Sequence, residues 1–455
     1  MPRVKRILFR PDMLPRFLQE PFRKIQDSPL GSRLASGVLW SISGGAASRL
    51  FALFVAIIVA RIIGKREFGE LGIIQSTVGV FGLVAAFGMD TTTMKYVAEF
   101  RTKDPSKTGR IIKLAEVVSA SVGLFICLTF IIVSPWVAAS VLAAPHLTPL
   151  LRAGSILLFC GAVNSSQTGS LAGFEAFKDI MVINVITAIF SFCASLLGVF
   201  LLGLQGVVYA MIGTMIVTLA INQFALKKVA RRSNVRLSYA HCLQERGIIT
   251  GFSVPAMLSG IIVMSATWLC SALLVNTPHG YEEMGVYNAA SVWKAPILFF
   301  PSAFATIFLS ILSNLLGEKR QGSYNKVLRT YLILNTGIAV VVACIIAAFS
   351  NTIMSVYGNG FSSGGGVLMI FAFASIPLAM GNVLDNAISS HGKAWGSFVI
   401  NFFWAALCIG LTWFLLDMGA RGLVLALLGS YIVLVIARGV YLYGSLMRKV
   451  EKAIP

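Results

Sequence analysis

The chain has 455 residues, 57% of them hydrophobic and 12% charged, with a formal net charge of +19 and a mean hydropathy of +0.82. A soluble domain carries roughly 25% charged residues, so this chain has too little polar side chain to cover a water-facing surface, and a soluble enzyme is excluded. At about 20 apolar residues per helical crossing, twelve crossings use roughly 240 residues and make nearly the whole chain membrane domain.

Residues 1–35 are basic, Pro-broken and without a continuous apolar core, which is not a cleavable-signal pattern. Their Arg3, Lys5, Arg6, Arg10, Arg16, Arg23 and Lys24 alternate with Ile7, Leu8, Phe9, Leu14, Phe17, Leu18 and Phe22. Two readings stay open here, a basic amphipathic segment on the inner membrane surface and a disordered positive tail. Apolar stretches then predict helices over 36–62, 70–94, 113–142, 149–172, 179–202 and 205–226. A basic linker, 227–247, follows, and further helices are expected over 248–275, 285–313, 327–349, 365–390, 395–416 and 421–445. The expected molecule is an all-α polytopic membrane protein of about 12 transmembrane helices. Its parts are a basic cytoplasmic tail (1–35), an N-terminal six-helix lobe (36–226), the linker (227–247), a C-terminal six-helix lobe (248–445) and a second cytoplasmic tail (446–455).

Lys and Arg collect in the short cytoplasmic loops of membrane proteins. With both termini inside, 28 of the 37 fall on the cytoplasmic side, and only Arg61, Lys65, Arg66, Arg152 and Arg421 fall outside. The high pI therefore reflects topology and contact with anionic membrane lipids, and no nucleic-acid partner is needed to explain it. Of the seven cysteines, Cys127, Cys160, Cys193, Cys242, Cys270, Cys344 and Cys408, six lie in apolar stretches and none forms a C-x-x-C pair. They read as small packing residues. His146, His241, His279 and His391 lie far apart, so neither a metal site nor a cofactor is expected.

The two halves resemble each other at a shift of 216 residues. Glu67-Phe68-Gly69 falls on Glu283-Met284-Gly285, and Lys103, Arg110 and Lys113 fall on Lys319, Lys326 and Arg329. Gly203, Gly206, Ala210 and Gly213 fall on Gly419, Gly422, Ala426 and Gly429, and Val182-Ile183-Asn184 matches Val399-Ile400-Asn401 at a shift of 217. An even number of helices per half gives a parallel repeat about an axis along the membrane normal. Such repeats place a substrate path between the halves and work by alternating access.

Ionisable groups inside a membrane are expensive and tend to face a bundle interior. Lys95, Glu116, Asp385 and Arg438 lie near predicted cytoplasmic helix ends, where snorkelling or pairing accounts for them. Arg49 sits midway along the first helix beside Ser41, Gly44, Gly45 and Ser48, and either faces the lumen or makes an interhelical hydrogen bond. Lys294 shares an arc of about 120° with Asn288 and Ser291 on the eighth helix, and Pro296 and Pro301 predict a kink just below it. The repeat mates of Arg49 and Lys294 are Ser265 and Val78, so these cations are additions to a symmetric scaffold. A cationic pair suits an anionic substrate, and a guanidinium grips phosphate oxygens in two-pronged fashion. Asp90 is a candidate for ion coupling or charge pairing.

Three stretches carry a family resemblance. Ala60-Arg61-Ile62-Ile63-Gly64 followed by Glu67-Phe68-Gly69 resembles the A-R-x-L-G-x-x-x-F/Y-G signature that ends the first helix of polysaccharide-biosynthesis flippases of the O-antigen type. Gly88 with Lys95-Tyr96-Val97-Ala98-Glu99, and Gly173-Phe174-Glu175-Ala176-Phe177, resemble the end of the second helix and the fourth-to-fifth connection in that family. The resemblance implies membership of the superfamily that also holds lipid II flippases and multidrug and toxin extrusion transporters. It implies movement of an undecaprenyl-diphosphate-linked oligosaccharide (an O-antigen, capsule or exopolysaccharide unit) from the inner to the outer leaflet of the bacterial cytoplasmic membrane. Polysaccharide polymerase machinery is then a candidate partner. Related flippases hold the pyrophosphate with cavity cations, and Arg49 and Lys294 are the candidates by position, although neither lies within the three signatures.

The expected substrate-binding set is Arg49, Lys294, Asn288 and Ser291. The alternatives on the same fold are a drug/cation antiporter, which would prefer acidic cavity residues, and a lipid II flippase. A membrane glycosyltransferase or polymerase is disfavoured, because the longest predicted outer connection, 350–364, has no carboxylate or His for acid/base chemistry. A structural scaffold would not need cations buried mid-membrane.

Overall fold

The computed structural model describes residues 29–239, 242, 254–299, 301–302, 308, 312, 321–391 and 394–451, and every regular element among them is helical. The basic segment ending at Lys24, His241, Lys319, Lys393, the last residues of the C-terminal tail and the predicted helix ends near 248 and 313 lie outside the described residues. In chain order the α-helices are α1 (Pro29–Ala86), α2 (Met89–Phe100), α3 (Pro105–Trp136), α4 (Thr148–Gly173), α5 (Phe177–Arg232), α6 (Val254–Val275) and α7 (Gly280–Ser291). They continue as α8 (Lys294–Ile297), α9 (Gln321–Ala348), α10 (Ser350–Val356), α11 (Gly365–Ser390), α12 (Ala394–Phe414) and α13 (Gly419–Glu451).

Among the described residues eight helical stretches are long and apolar enough to cross a membrane. Two of them are too long for one crossing: 56 residues, as in α5, run about 84 Å as a straight helix against a hydrocarbon core of about 30 Å. Both are interrupted at a glycine. Gly64 breaks α1 with φ 80° and ψ 174°, and Gly203 breaks α5 with φ 57° and ψ −133°, conformations that a Cβ strongly disfavours. These breaks fall where the sequence separates its first and second, and its fifth and sixth, expected helices. Phe414 is 82% exposed, Ile132 78% and Leu201 77%, an apolar exterior that suits lipid and not water.

Four expectations are corrected. The second helix does not run to 94. It stops at Ala86 because Phe87 and Gly88 both adopt left-handed backbone, and α2 starts afresh with the Thr92 hydroxyl donating to the Gly88 carbonyl. The third helix starts at Pro105, eight residues before its expected start, because the Asp104 carboxylate accepts from the Lys107 N–H and proline occupies the first turn. The eighth helix is interrupted twice, at Val292–Trp293 before Lys294 and at Leu298 just below it, where the kink was expected. Finally, 350–364 is not a loop, since α10 and a 3₁₀ turn at Asn359–Gly364 order it.

Within the first half α1 packs on α5, and α4 packs on both α3 and α5. Within the second α11 packs on α9 and α13, and α12 packs on α6 and α13. The second part of α1 meets α7 between the halves, and one apolar core runs through both, from Leu71, Ile74 and Val207 to Ala289, Phe371 and Leu427.

Contacts between the halves recur at the 216-residue spacing. A Cβ on Gly69 would lie 1.9 Å from the Tyr281 carbonyl oxygen, and one on Gly285 would lie 1.9 Å from that of Lys65. Gly203 and Gly419 share their backbone conformation, the latter at φ 59° and ψ −136°. Glu283 caps the start of α13, accepting from the Ala420 N–H at 2.8 Å beside Gly419, while its counterpart Glu67 lies beside Gly203.

Candidate substrate-binding cavity

A cavity of about 570 Å³ opens between α1, α5 and the C-terminal end of α7. Its polar wall is a stripe on α5, Asn184, Thr187, Ser191 and Ser195, faced by Ser48 and Gln75 of α1. These α5 positions recur every three or four residues, so one helical face carries them all. The hydroxyls are anchored locally: Thr187 donates to the Ile183 carbonyl at 2.9 Å, Thr214 to that of Ala210 at 2.7 Å, and Ser48 to those of Gly44 and Asn184 at 3.0 and 3.2 Å. Their lone pairs face the cavity as acceptors, and the Gln75 and Asn184 amides add donors. Phe51, Val55, Phe68 and Met211 supply the apolar wall, and among the described residues no ionisable side chain lines the cavity.

Asn288 and Ser291 both reach this cavity from α7. The Asn288 amide donates to the Phe68 carbonyl at 3.2 Å and packs where Gly72 leaves no side chain in its way, so it also joins the two halves. Ser291 donates to the Asn288 carbonyl at 2.9 Å. Arg49 follows the lining residue Ser48 in sequence but does not itself line the cavity. Its guanidinium lies 4.8 Å from the centre of the Phe299 ring, and its NH1 nitrogen is buried without a hydrogen-bond partner among the described residues. Lys294 has an exposed side chain one turn beyond Ser291 but is not part of the cavity wall. Asp90 is exposed in the first turn of α2, apart from the cavity, and makes no ion pair among the described residues. The structure thus brings Asn288 and Ser291 to the cavity and leaves Arg49, Lys294 and Asp90 outside its lining.

Sequence reasoning missed the α5 stripe. The signal was present, because Asn184, Thr187, Ser191 and Ser195 are polar residues at helical spacing inside an apolar stretch, but it carries no charge and draws less notice than a lone arginine. The polar links between α4 and α5 were missed likewise: Gln167 donates to Gln223 at 2.7 Å, and Asn222 bonds Asn164. The charges near helix ends do pair. Lys113 meets Glu116 at 2.5 Å, and Arg438 meets Asp385 at 3.2 Å while donating to the Gly381 carbonyl and to Asn401.

One face of the molecule is closed across the halves. Lys65 pairs with Glu282 at 2.5 Å and is the main reason the Glu282 carboxyl sits below the usual carboxylate range. The Tyr281 hydroxyl donates to the Leu142 carbonyl at 2.6 Å, and the Asn276 amide to that of Val141 at 2.7 Å. Phe68, Tyr357 and Phe361 form an aromatic cluster beneath. Glu70, 5% exposed, is held by His146 at 3.0 Å.

Residues 58–362 match the model of a family described as polysaccharide biosynthesis protein. The chain is 22% identical over 419 residues to the EPS I polysaccharide export inner membrane protein EpsE of Ralstonia nicotianae, covering 89% of this chain and 92% of that one. Among solved structures it resembles an inward-facing multidrug resistance MATE family transporter of the MOP superfamily, with TM-score 0.72, 15% identity, and 90% and 98% of the two chains covered. It also resembles a MOP superfamily transporter from Pyrococcus furiosus whose description reports reversed polarity of the binding pocket, with TM-score 0.71, 17% identity, and 94% and 97% covered. These structural likenesses establish the fold, an all-helical polytopic membrane fold of the MOP type.

Proposed function

The chain belongs to the polysaccharide biosynthesis protein family, and from that premise we propose that it flips an undecaprenyl-diphosphate-linked oligosaccharide from the inner to the outer leaflet by alternating access. The fold is one of transporters and not of enzymes. The observation that carries the reading is the cavity wall, neutral hydroxyls and amides with no carboxylate among the described residues, together with the Arg49 guanidinium, whose NH1 nitrogen is unpartnered, next in sequence to the lining residue Ser48. Sugar hydroxyls pair with such a wall, and a diphosphate pairs with Arg49 and, one turn past Ser291, with Lys294. A cationic drug would favour an acidic wall, which speaks against the antiporter reading.

In this reading the molecule has twelve crossings in two six-helix lobes, 36–226 and 248–445, joined by the linker 227–247. The glycine breaks at Gly64 and Gly203 and the paired contacts of Gly69 and Gly285 support it. The protein sits in the bacterial cytoplasmic membrane with both termini inside, in agreement with the description of the Ralstonia relative as an inner membrane protein. The face closed by Lys65 and Glu282 is then the outer one. Asn288 and Ser291 contact the sugar, Asp90 serves ion coupling or charge pairing, and the polymerase machinery takes the product.

Deleting the gene tests this. The reading predicts loss of a surface polysaccharide with accumulation of diphosphate-linked oligosaccharide on the inner leaflet, restored by the wild-type gene and not by Arg49→Ala. Unchanged polysaccharide with altered drug sensitivity would overturn it in favour of the antiporter, and loss of cell-wall synthesis in favour of a lipid II flippase.

A further inference from the structure

A second concavity, of about 840 Å³, lies at the far end of α5. Lys227, Arg231 and Arg236 line it with Gln223, Lys113 and Tyr239, and among the described residues no carboxylate is part of its wall. Lys113 is spoken for, since Glu116 lies 2.5 Å from it, and the Tyr239 hydroxyl lies 3.3 Å from its ammonium. Lys227, Arg231 and Arg236 are exposed and carry no ion pair among the described residues, so the cleft has three uncompensated positive charges.

The cleft is built by a fixed backbone. The Val235 N–H donates to the Ala230 carbonyl at 2.9 Å and the Asn234 N–H to that of Arg231 at 3.2 Å, with Asn234 left-handed at φ 56°. This is a Schellman stop, which turns the chain sharply off the helix end. Val235, 3% exposed, then plugs a small apolar cluster containing Ile112, Leu171 and Val229. Gly109 lets the strap lie close, because a Cβ there would sit 2.0 Å from the Arg236 carbonyl oxygen. Arg231 and Arg236 are thereby held on either side of an anchored residue.

We propose that this cleft is a binding site for a phosphate-bearing anion, gripped by Arg231 and Arg236 with Lys227 and hydrogen-bonded by Gln223 and Tyr239. Helix-end cations by themselves serve the C-terminal dipole, but Arg236 lies beyond the end of α5 and is aimed into the same space. General positive charge on a cytoplasmic loop needs no concavity, and Lys228 and Arg232, exposed on the same helix end, lie outside the cleft. Two guanidinium forks match phosphate oxygens in geometry as well as charge. The site is distinct from the transport cavity and does not depend on what that cavity carries.

The test uses the full-length protein in neutral detergent at fixed ionic strength, titrated separately with inorganic pyrophosphate and with phosphatidylglycerol, with phosphatidylcholine as control. The variants are Arg231→Gln/Arg236→Gln in the cleft and Lys228→Gln/Arg232→Gln beside it. The expected result is saturable binding of at least one phosphate ligand that weakens about tenfold in the cleft variant and stays within about twofold of wild type in the neighbouring one. Binding of pyrophosphate identifies a phosphate group free of any membrane as sufficient, whereas binding of phosphatidylglycerol alone identifies a lipid headgroup. Equal loss in both variants, or no saturable binding of either ligand, overturns the proposal.

Discussion

Arg49 has one guanidinium nitrogen buried without a hydrogen-bond partner among the described residues, and that makes its stability and transport effects opposite in sign. An unsatisfied buried donor costs about 1–3 kcal/mol, so Arg49→Ala is expected to leave the thermal midpoint unchanged or raised while abolishing surface polysaccharide. Arg49→Lys keeps the charge without the fork and is expected to be partly active. A lowered midpoint in detergent for Arg49→Ala would assign the residue to packing instead. Arg438 also has a buried nitrogen, Nε, without a partner among the described residues, but its guanidinium is held by Asp385, Asn401 and the Gly381 carbonyl. Arg438→Met is expected to destabilise by about 3 kcal/mol, the low end for a broken buried pair, because Asp385 is 36% exposed. Thermal unfolding in detergent measures it. At this scale the sequence made charges legible and neutral polar residues much less so. Arg49, Asn288 and Ser291 stood out as polar groups in apolar stretches, whereas Thr187 and Ser195 have hydroxyls that bond within their own helices, or pack unobtrusively, and resemble ordinary helix residues until a cavity is seen in front of them.

The helical elements were legible wherever an apolar run ends at a chemical stop. Gly64 and Gly203 mark their breaks in sequence, and Asp104-Pro105 marks the start of α3. The break at Phe87–Gly88 had only a glycine to mark it within an apolar run, and the interruption at Val292–Trp293 had no chemical mark, since both residues are apolar and keep right-handed backbone. Gly69 and Gly285 are points of close backbone approach where α1 and α7 cross. A valine at either position meets the opposite carbonyl, so Gly69→Val and Gly285→Val are each expected to separate the helices at the Lys65–Glu282 face. The check is thiol-reagent labelling of a cysteine placed at Tyr281, which should become several-fold faster in either variant. Gly213→Val, where nothing lies within 4 Å of an added Cβ, is the control and should leave labelling unchanged.

For the whole molecule, closure of one face is the feature with the most consequences. Lys65 and Glu282 bridge the halves, and the Glu282 carboxyl is held below its ordinary range chiefly by that lysine. A depressed carboxylate contributes stability that is fully present above its unfolded value, about 4.3, and that is lost as pH falls through the lower folded value. The closed face is therefore expected to loosen in acid below about pH 4, and Glu282→Gln is expected to remove that part of the dependence. Hydrogen exchange of residues 65–70 and 280–285 across pH reads both effects. Both side chains are about a third exposed, so the contribution of the pair is modest. The 216-residue repeat was legible from scattered matches, and its physical content is the reciprocal approach of Gly69 to Tyr281 and of Gly285 to Lys65.

The central claim, that a lipid-linked oligosaccharide crosses the membrane as the two halves rock, is tested most directly in proteoliposomes. Lys65→Cys/Glu282→Cys would be introduced with the exposed Cys193 and Cys344 changed to alanine, and the face bridged with a short bis-methanethiosulfonate reagent. The account predicts that unbridged protein moves a polyprenyl-diphosphate-linked oligosaccharide between leaflets, that bridging stops it, and that reductant restores it. Transport at the same rate with the face bridged, or none above protein-free vesicles in the unbridged protein, would contradict it.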